Sequence, residues 1–496
     1  MTNQNNFQKF VNSQVKTLLI FPQSFEPNVE PPLGISLIAA CLRQTGHEVD
    51  LLDLTVEPQK RPDWNIYSVI GISLLCANFN NGVSLAKRIR QENQGACIVA
   101  GGPFPDICTE EVLETGFFDV VVHGEGEKVF VQLVEALESG KDFSIVKGLS
   151  FYQDGKIVRT ENPPQIEDLD ALPFPAYDLL PMNRYNESSI IASRGCPFNC
   201  IFCNRGPAES KIVRRLSPEH VIDWVTVLIN DFGCHNIRFV DSTFTLDQEW
   251  AEKICDLILK RNLRFQWTCQ SRIDCINSTL LGKMRKAGCL RFYIGVETGN
   301  EKILTLLKKG FSKADVRIGA QLFKSVDAPQ LNIDFIIGHP WDTVMTIRET
   351  AKFAQDLYKK FGAKCGFFLM TPFPGTELWN NAEGYGLNIT KNWEKFCKMS
   401  FKGDCDRLSA NFDTKYLSRE ELTRLYHKTQ QRYGVGLHKH LDALNFLMAG
   451  KDFKQAKQIA RKLISEGYLT FKVLIIAILP HTILKFLYTI YQRSNM

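Results

Sequence analysis

A chain of 496 residues exceeds one small module: at roughly 150 residues per domain it holds two to four. With 44% hydrophobic, 23% charged and 11% aromatic residues, it is neither disordered nor collagen-like. A net charge of +5, from 59 Lys and Arg against 54 Asp and Glu, falls short of the loading of a dedicated nucleic-acid binder; with no appended basic RNA-binding module, no nucleic-acid partner is expected.

Residues 1–14 are polar and rich in Asn and Gln, without an apolar stretch like a secretory signal. Together with an odd count of 15 cysteines this predicts a reducing, cytoplasmic setting in which a close cysteine cluster means metal or redox chemistry. Residues 15–21, VKTLLIF, read as a buried strand, and apolar residues fall at helical spacing over 33–44 after Pro31-Pro32, closing at Gly46. The strands EVDLLDL, SVIGISL, CIVAGG and DVVVHGEGE follow, with helices predicted over 81–91, 109–114 and 128–137. Nearly continuous apolar strands belong to a parallel sheet covered on both faces, so the fold class is α/β and residues 15–150 read as a doubly wound, Rossmann-like domain. The turns Gly101-Gly102-Pro103 and Gly124-Glu125-Gly126 stand at carboxyl ends of strands, where open sheets bind ligands. The same glycines also suit tight turns with no further role, and neither turn fits GxGxxG. A proline-rich stretch over 151–187 reads as a linker.

A second alternation then begins: SIIAS, HNIRFVD, RFQWTCQS, LRFYIGVE, QLNIDFIIG and CGFFLM. Six strands with intervening helices predict a partial (β/α)6 TIM-type barrel over 188–400, with its chemistry at the carboxyl ends of the strands. Those ends carry Cys196, Asp241, Arg272, Glu297, Gly338 and the loop 371–375. Residues 401–496 read as a C-terminal helical region. Its segment 469–491, LTFKVLIIAILPHTILKFLYTIY, is interrupted by Lys472, Pro480, His481 and Lys485 and lacks the unbroken apolar length of a spanning helix. Two readings stand for it, peripheral membrane contact or a helix packed on the barrel.

The sharpest signal is SRGCPFNCIFCNRG, which sets Cys196, Cys200 and Cys203 in a CxxxCxxC loop after a predicted strand. Spacings of four and three let each sulfur approach a different corner of a cubane iron–sulfur cluster, whereas structural zinc takes four ligands. No fourth cysteine joins the motif, which leaves one iron open. The alternatives are zinc with a distant fourth ligand and three cysteines without metal. Cys41, Cys76 and Cys97 lie in apolar runs and read as small core residues.

This loop resembles that of the radical SAM superfamily, with Phe202 at the aromatic position before the third cysteine. The resemblance implies a [4Fe–4S] cluster held by Cys196, Cys200 and Cys203, with S-adenosylmethionine (SAM) on the free iron. One-electron reduction, from a donor such as flavodoxin or ferredoxin, then yields a 5′-deoxyadenosyl radical. It further implies that Glu297 binds the ribose hydroxyls, that Arg272 pairs with the methionine carboxylate, that Asp241 faces the same mouth, and that Gly338 and PFPGTE at 372–377 approach the adenosine. Each strand-end charge has a rim salt bridge as its plain alternative.

A doubly wound domain ahead of such a barrel, with PPLGISLIAACLRQTGHEVDLLDL, GGP and HGEGE, is similar to the cobalamin-binding branch over residues 15–400. Ser73, Gly101, Gly102, Gly124 and Glu125 would then touch the corrin. The loop after the first strand, PQSFEPNVEPPLG, lacks the DxHxxG histidine, so no cobalt ligand is expected from it. His47 reads as a surface residue, and His123 either touches the cofactor or caps its strand. The resemblance implies a methyltransferase acting on an unactivated carbon of a lipid-like or other small-molecule substrate, consuming two SAM per product. The rivals are a radical SAM oxidative cyclase of the porphyrin-ester kind and a non-catalytic corrinoid or redox sensor.

Overall fold

The structure, a computed structural model, describes residues 15–24, 30–204, 210–393, 395–396 and 408–433. The N-terminal half runs β1 (Thr17–Phe21), α1 (Leu33–Gln44), β2 (Val49–Asp53), β3 (Val69–Ser73), α2 (Phe79–Glu92), β4 (Cys97–Gly101), α3 (Pro103–Ile107), α4 (Thr109–Leu113), β5 (Val120–Val122), α5 (Gly126–Glu138), β6 (Leu149–Gln153) and β7 (Lys156–Arg159). Its sheet has the order β2-β1-β3-β4-β5-β6-β7, and the first five strands are parallel. The order reverses between β1 and β3, which opens a crevice at their carboxyl ends, the usual ligand position of this topology.

Both faces of the sheet are covered. In β4, Cys97 and Val99 pack with α1 and α5 residues such as Ala39 and Leu133, while Ile98 and Ala100 pack with Leu85 and Ile89 of α2. Period-2 side chains thus feed two separate apolar layers, which is why the strand reads as an unbroken apolar run. The stretch expected to open the linker at 151 is corrected: β6 and β7 pair antiparallel and extend the sheet past β5. Leu149, Ser150 and Phe151 of β6 are buried between its neighbours, while β7, at the edge of the sheet, is half-buried or exposed throughout.

Gly102 follows β4 with φ +99, and a Cβ on it would lie 2.9 Å from the Leu74 carbonyl oxygen. Gly102→Ala is therefore expected to cost about 1–3 kcal/mol, through a left-handed backbone that a side chain strains and a contact it cannot make. A lowered thermal midpoint in calorimetry checks this.

The second half runs β8 (Ser188–Ile190), β9 (Ser193–Arg194), β10 (Arg214–Arg215), α6 (Pro218–Asn230), β11 (Asn236–Phe239), α7 (Gln248–Lys260), β12 (Gln266–Ser271), α8 (Ser278–Lys286), β13 (Cys289–Glu297), α9 (Glu301–Leu306), α10 (Lys313–Ser325), β14 (Gln330–Ile337), α11 (Val344–Phe361), β15 (Lys364–Leu369), α12 (Glu377–Asn380), β16 (Asn388–Ile389), β17 (Phe412–Asp413) and α13 (Arg419–Tyr433). Strands β8, β11, β12, β13, β14 and β15 form one parallel sheet in chain order, the wall of a six-stranded partial barrel. Its outer face is sealed by Phe239, Trp267, Phe292, Ile294, Phe335 and Phe367, packed against the helical layer. Trp267 is fully buried, and its indole N–H donates to the Ala287 carbonyl at 2.8 Å.

Local signals set the helix starts. Ser217 caps α6 ahead of Pro218, and Ser312 with Asp315 forms a capping box on α10. Helix α13 packs on β15. Among the described residues no helix is long and apolar enough to cross a membrane. The segment 469–491 lies outside the described residues.

Candidate active site

The cysteine loop leaves β9 through Gly195, whose φ is +105 and whose Cβ would sit 2.4 Å from the Ile212 carbonyl oxygen. Only glycine lets the loop pass so close to β10. Main-chain hydrogen bonds tether the loop: Cys196 N–H donates to Ser210 O at 3.0 Å and Ile201 N–H to Leu307 O at 3.4 Å, while Ile201 O accepts from Leu378 N–H at 3.1 Å. Ile201 is buried as an apolar anchor, whereas Cys196 and Cys200 are half-buried and Cys203 is exposed. Cysteines elsewhere differ. Burial pushes the Cys41 thiol up to about 12 and raises those of Cys97, Cys255, Cys269 and Cys365, which suits core residues that stay protonated.

Around this loop the rim residues have firm placements. Asp241 is fully buried after β11 and accepts from the Ser193 hydroxyl at 2.5 Å and the Ala192 N–H at 3.4 Å. Burial pushes its carboxyl up to about 6, although those hydrogen bonds favour the charged form. It thus fixes the chain just before the cysteine loop. Arg272 is buried and hydrogen-bonded to Asp274 at 2.8 and 2.9 Å and to the Lys309 carbonyl at 2.5 Å. Its guanidinium lies 3.6 Å from the centroid of the Phe198 ring inside the cysteine loop. The group expected to meet a methionine carboxylate is engaged with its own neighbours and supports the loop from beneath.

Glu297 ends β13 at a bulge, with φ +73, and its carboxylate accepts from the buried Lys309 ammonium at 3.0 Å. A Cβ at Gly295 would lie 2.3 Å from Glu297 Oε1, so this carboxylate folds back over the glycine. Lys309 also stands 5.6 Å from the Phe202 ring, beside the third cysteine. Gly338, with φ +106, presents its N–H to Asp342 Oδ2 at 2.9 Å, and the next residue, His339, is fully buried near Phe202, with ring centroids 6.4 Å apart. His339 Nδ1 has no hydrogen-bond partner among the described residues, an orphan that a bound group would satisfy. Gly375 of the 372–377 stretch has φ +80 and faces Ile107 of the N-terminal half, 3.0 Å from where its Cβ would be.

At the carboxyl edge of the first sheet, Ser73 is half-buried, and a Cβ on Gly101 would meet nothing nearer than Val122 at 4.0 Å, so space is open in front of it. Gly124, with φ +71, is closed off by Pro163, 2.8 Å from its would-be Cβ. His123 is buried between Asp106 Oδ1, 3.0 Å from Nδ1, and Ser150 Oγ, 2.8 Å from Nε2, so both ring nitrogens are occupied. His47, expected at the surface, lies mostly covered with Nδ1 3.3 Å from Glu138 Oε1, because α5 packs beside its turn.

Glu125, expected against a cofactor, has another engagement. Its carboxylate accepts from Arg214 at 2.9 Å through both terminal nitrogens, from Arg194 at 3.0 Å and from the Ile166 N–H at 2.6 Å, while Glu127 takes the other end of Arg194 at 2.5 Å. Arg194 and Arg214 flank the cysteine loop on β9 and β10, which pair with each other. Burial works against the Glu125 charge, but Arg214, Ile166 and Arg194 outweigh it and hold the carboxyl below its ordinary range. This nearly buried clamp ties the turn after β5 to the base of the cysteine loop.

The residues fit the groups the motif implies. Among the described residues no three His, Cys, Asp or Glu side chains converge as the ligands of a single ion do. A cubane asks for a different arrangement, thiolates at separate irons, and a tethered loop presenting three thiols outside the packed core provides it. A flat macrocycle needs close approach at the sheet edge, which Gly101 permits, and any corrinoid here lacks a histidine from His123.

Comparison with known proteins accords with this architecture. Residues 190–354 match the Radical SAM superfamily and residues 27–134 the B12 binding domain. The chain is 34% identical over 379 residues to an uncharacterized methyltransferase of Pyrococcus horikoshii, covering 74% of this chain and 81% of that one. It is 26% identical over 396 residues to an anaerobic magnesium-protoporphyrin IX monomethyl ester cyclase of Rubrivivax gelatinosus, covering 74% and 69%. The fold is shared with the radical SAM methyltransferase TsrM of Kitasatospora setae at a TM-score of 0.65 and 20% identity, over 76% of this chain and 81% of that one. The chain therefore belongs to the radical SAM enzymes that carry a B12-binding domain. Its cofactors are a [4Fe–4S] cluster, S-adenosylmethionine and cobalamin.

Sequence reading missed Lys309, His339, Phe198 and the Arg194, Arg214, Glu125 and Glu127 clamp. Lys309 follows another lysine in a loop that reads as solvated. The RR pair at 214–215 is legible only as charge, since its partners lie on another domain.

Proposed function

We propose that this enzyme transfers a methyl group from SAM to an unactivated carbon of a small molecule. When bound, the reduced cluster and SAM supply a 5′-deoxyadenosyl radical that removes a hydrogen atom, and cobalamin supplies the methyl carrier. The observation that carries the reading is the clamp: the strand turn bearing Glu125 in the B12-binding domain is fastened two residues before Cys196, so the two cofactor-binding elements address one space. The methyltransferase relative over most of both chains supports the same reaction class.

In this reading Cys196, Cys200 and Cys203 hold the cluster, and Phe202 shields it. Glu297, held in place by its hydrogen bond from Lys309, receives the ribose hydroxyls, a task for which a carboxylate has two acceptor oxygens. Arg272 and Asp241 position the loop from beneath and behind, Gly338 and His339 lie along the nucleoside, and Ser73 with Gly101 lines the corrin. Gly102, Gly124 and Glu125 shape the turns behind that face. A one-electron protein donor such as flavodoxin or ferredoxin reduces the cluster.

A second reading, oxidative cyclisation, draws on the cyclase relative. SAM carrying a trideuterated methyl group separates the two: turnover of the reconstituted enzyme is expected to give a product heavier by one CD3 group, whereas product formation without label supports cyclisation.

A further inference from the structure

Apart from the barrel mouth, a cavity of about 470 Å³ opens between the two halves of the chain, a volume within the range of small-molecule sites. Its first wall is α3 and α4, with Asp106, Ile107 and Glu111, joined by Arg159 at the end of β7; its second is Gly375 and Trp379, on the loop after β15 and on α12. Neither Ser73, Gly101 nor any cysteine of the cluster loop lines it. Both walls are held in place. Asp106 Oδ1 is tied through His123 to Ser150, and Arg159 stands beside Ser150 in the β6–β7 register, which fixes the helix against the strand end. Across the cavity the Trp379 indole stacks on Trp393, with centroids 5.7 Å apart and planes at 16°, and Trp393 meets Phe104 of α3 edge-on at 5.2 Å. This aromatic chain spaces the barrel wall from the first domain.

The polar groups on these walls lack counterparts. Glu111 is half-buried, and its carboxylate makes no hydrogen bond or ion pair with any described residue. Arg159 forms no ion pair among the described residues and reaches only Asn162 Oδ1, 3.3 Å from its Nη2. The two opposite charges thus line one cavity without pairing with each other, and the Trp379 indole N–H has no acceptor among the described residues. The other charges between these domains behave differently, since Arg194 and Arg214 are matched by Glu125 and Glu127. A braced cleft that keeps a cation and an anion apart suits a ligand carrying both charges, and Ile107 with the Trp379 ring suits an apolar body between them.

We propose that this cleft is a second small-molecule site, for a zwitterion of the amino-acid kind. The ligand's carboxylate lies on Arg159, its ammonium on Glu111 and its apolar side chain against Trp379. The site stands apart from the methyl-transfer chemistry, so its occupancy is measurable without turnover.

The test is titration calorimetry on the full-length enzyme, reconstituted anaerobically with iron, sulfide and hydroxocobalamin and saturated with SAM. Three probes of like shape are compared: L-leucine, 4-methylpentanoate, which lacks the amine, and 3-methylbutylamine, which lacks the carboxylate. L-leucine is expected to bind at least about tenfold tighter than either single-charge probe, the effect of one charged hydrogen bond. Glu111→Gln and Arg159→Gln are each expected to weaken L-leucine by about the same factor. Each leaves one probe untouched: Glu111→Gln keeps the affinity for 4-methylpentanoate, and Arg159→Gln keeps that for 3-methylbutylamine. Glu114→Gln, on an exposed carboxylate outside the cleft, keeps all three. Thermal midpoints and iron content confirm that the variants are folded and loaded. Absence of L-leucine binding up to about 10 mM, weaker than two charged contacts supply, overturns the site. So do equal affinities for the three probes, or L-leucine binding undiminished in either Glu111→Gln or Arg159→Gln.

Discussion

Cys200→Ala is expected to reduce formation of 5′-deoxyadenosine from SAM to the uncatalysed background and to strip iron from the reconstituted protein. Two thiolates leave a second iron without a protein ligand, and neighbouring side chains offer no substitute, since Ile201 is buried as an anchor and Phe202 packs on the barrel. The fold should survive. The loop is tethered through backbone groups of Cys196 and Ile201, which the substitution leaves in place. Cys365→Ala supplies the contrast, because that thiol is sunk beneath β15 and donates only to main-chain carbonyls. It is expected to lower the thermal midpoint while iron loading stays normal. Iron and sulfide analysis with product chromatography checks both, and a Cys200→Ala protein that retains its iron and cleaves SAM would sink the cluster assignment.

Glu125→Gln is expected to be the most destabilising of the conservative substitutions, by about 3–5 kcal/mol, because it leaves Arg194 and Arg214 nearly buried with a single carboxylate between them. Replacing both Glu125 and Arg214 by methionine should recover much of that loss, since no lone charge then remains under cover. The clamp also has a pH signature. Glu125 has its carboxyl held below the reference value of 4.5, so its stabilisation is complete above that pH and is lost as the pH falls through the lower folded value. Arginine stays charged throughout that range. Thermal midpoints taken across acidic pH should therefore fall steeply for the native chain and more shallowly for Glu125→Gln, and parallel slopes would remove Glu125 from the clamp.

The parallel strands were legible in sequence because each is short, apolar and bounded by turn residues, and the cysteine spacing disclosed the cluster loop without help from tertiary structure. What stayed hidden depended on contacts between distant segments. The β6–β7 hairpin follows a parallel run and looks like linker, since β7, the edge strand, is short and bounded by Lys156 and Arg159 as a loop would be. Glu125 sits in a glycine turn that resembles a ligand contact, and only the docking of the barrel reveals two arginines converging on it. Arg272 was recognisable as a strand-end cation, but its orientation toward Phe198 and Asp274 follows from loop geometry that no spacing encodes.

The tethers of the cysteine loop run between main-chain atoms, and among its described residues Gly195 is the position where a side chain is forbidden outright. Evolution is thus free to rewrite Pro197, Asn199 and Asn204 without detaching the sulfurs. Divergence at those positions among descendants of this gene carries little news about lost activity. A change at Gly195 would be the telling one, marking a lineage that has abandoned the chemistry.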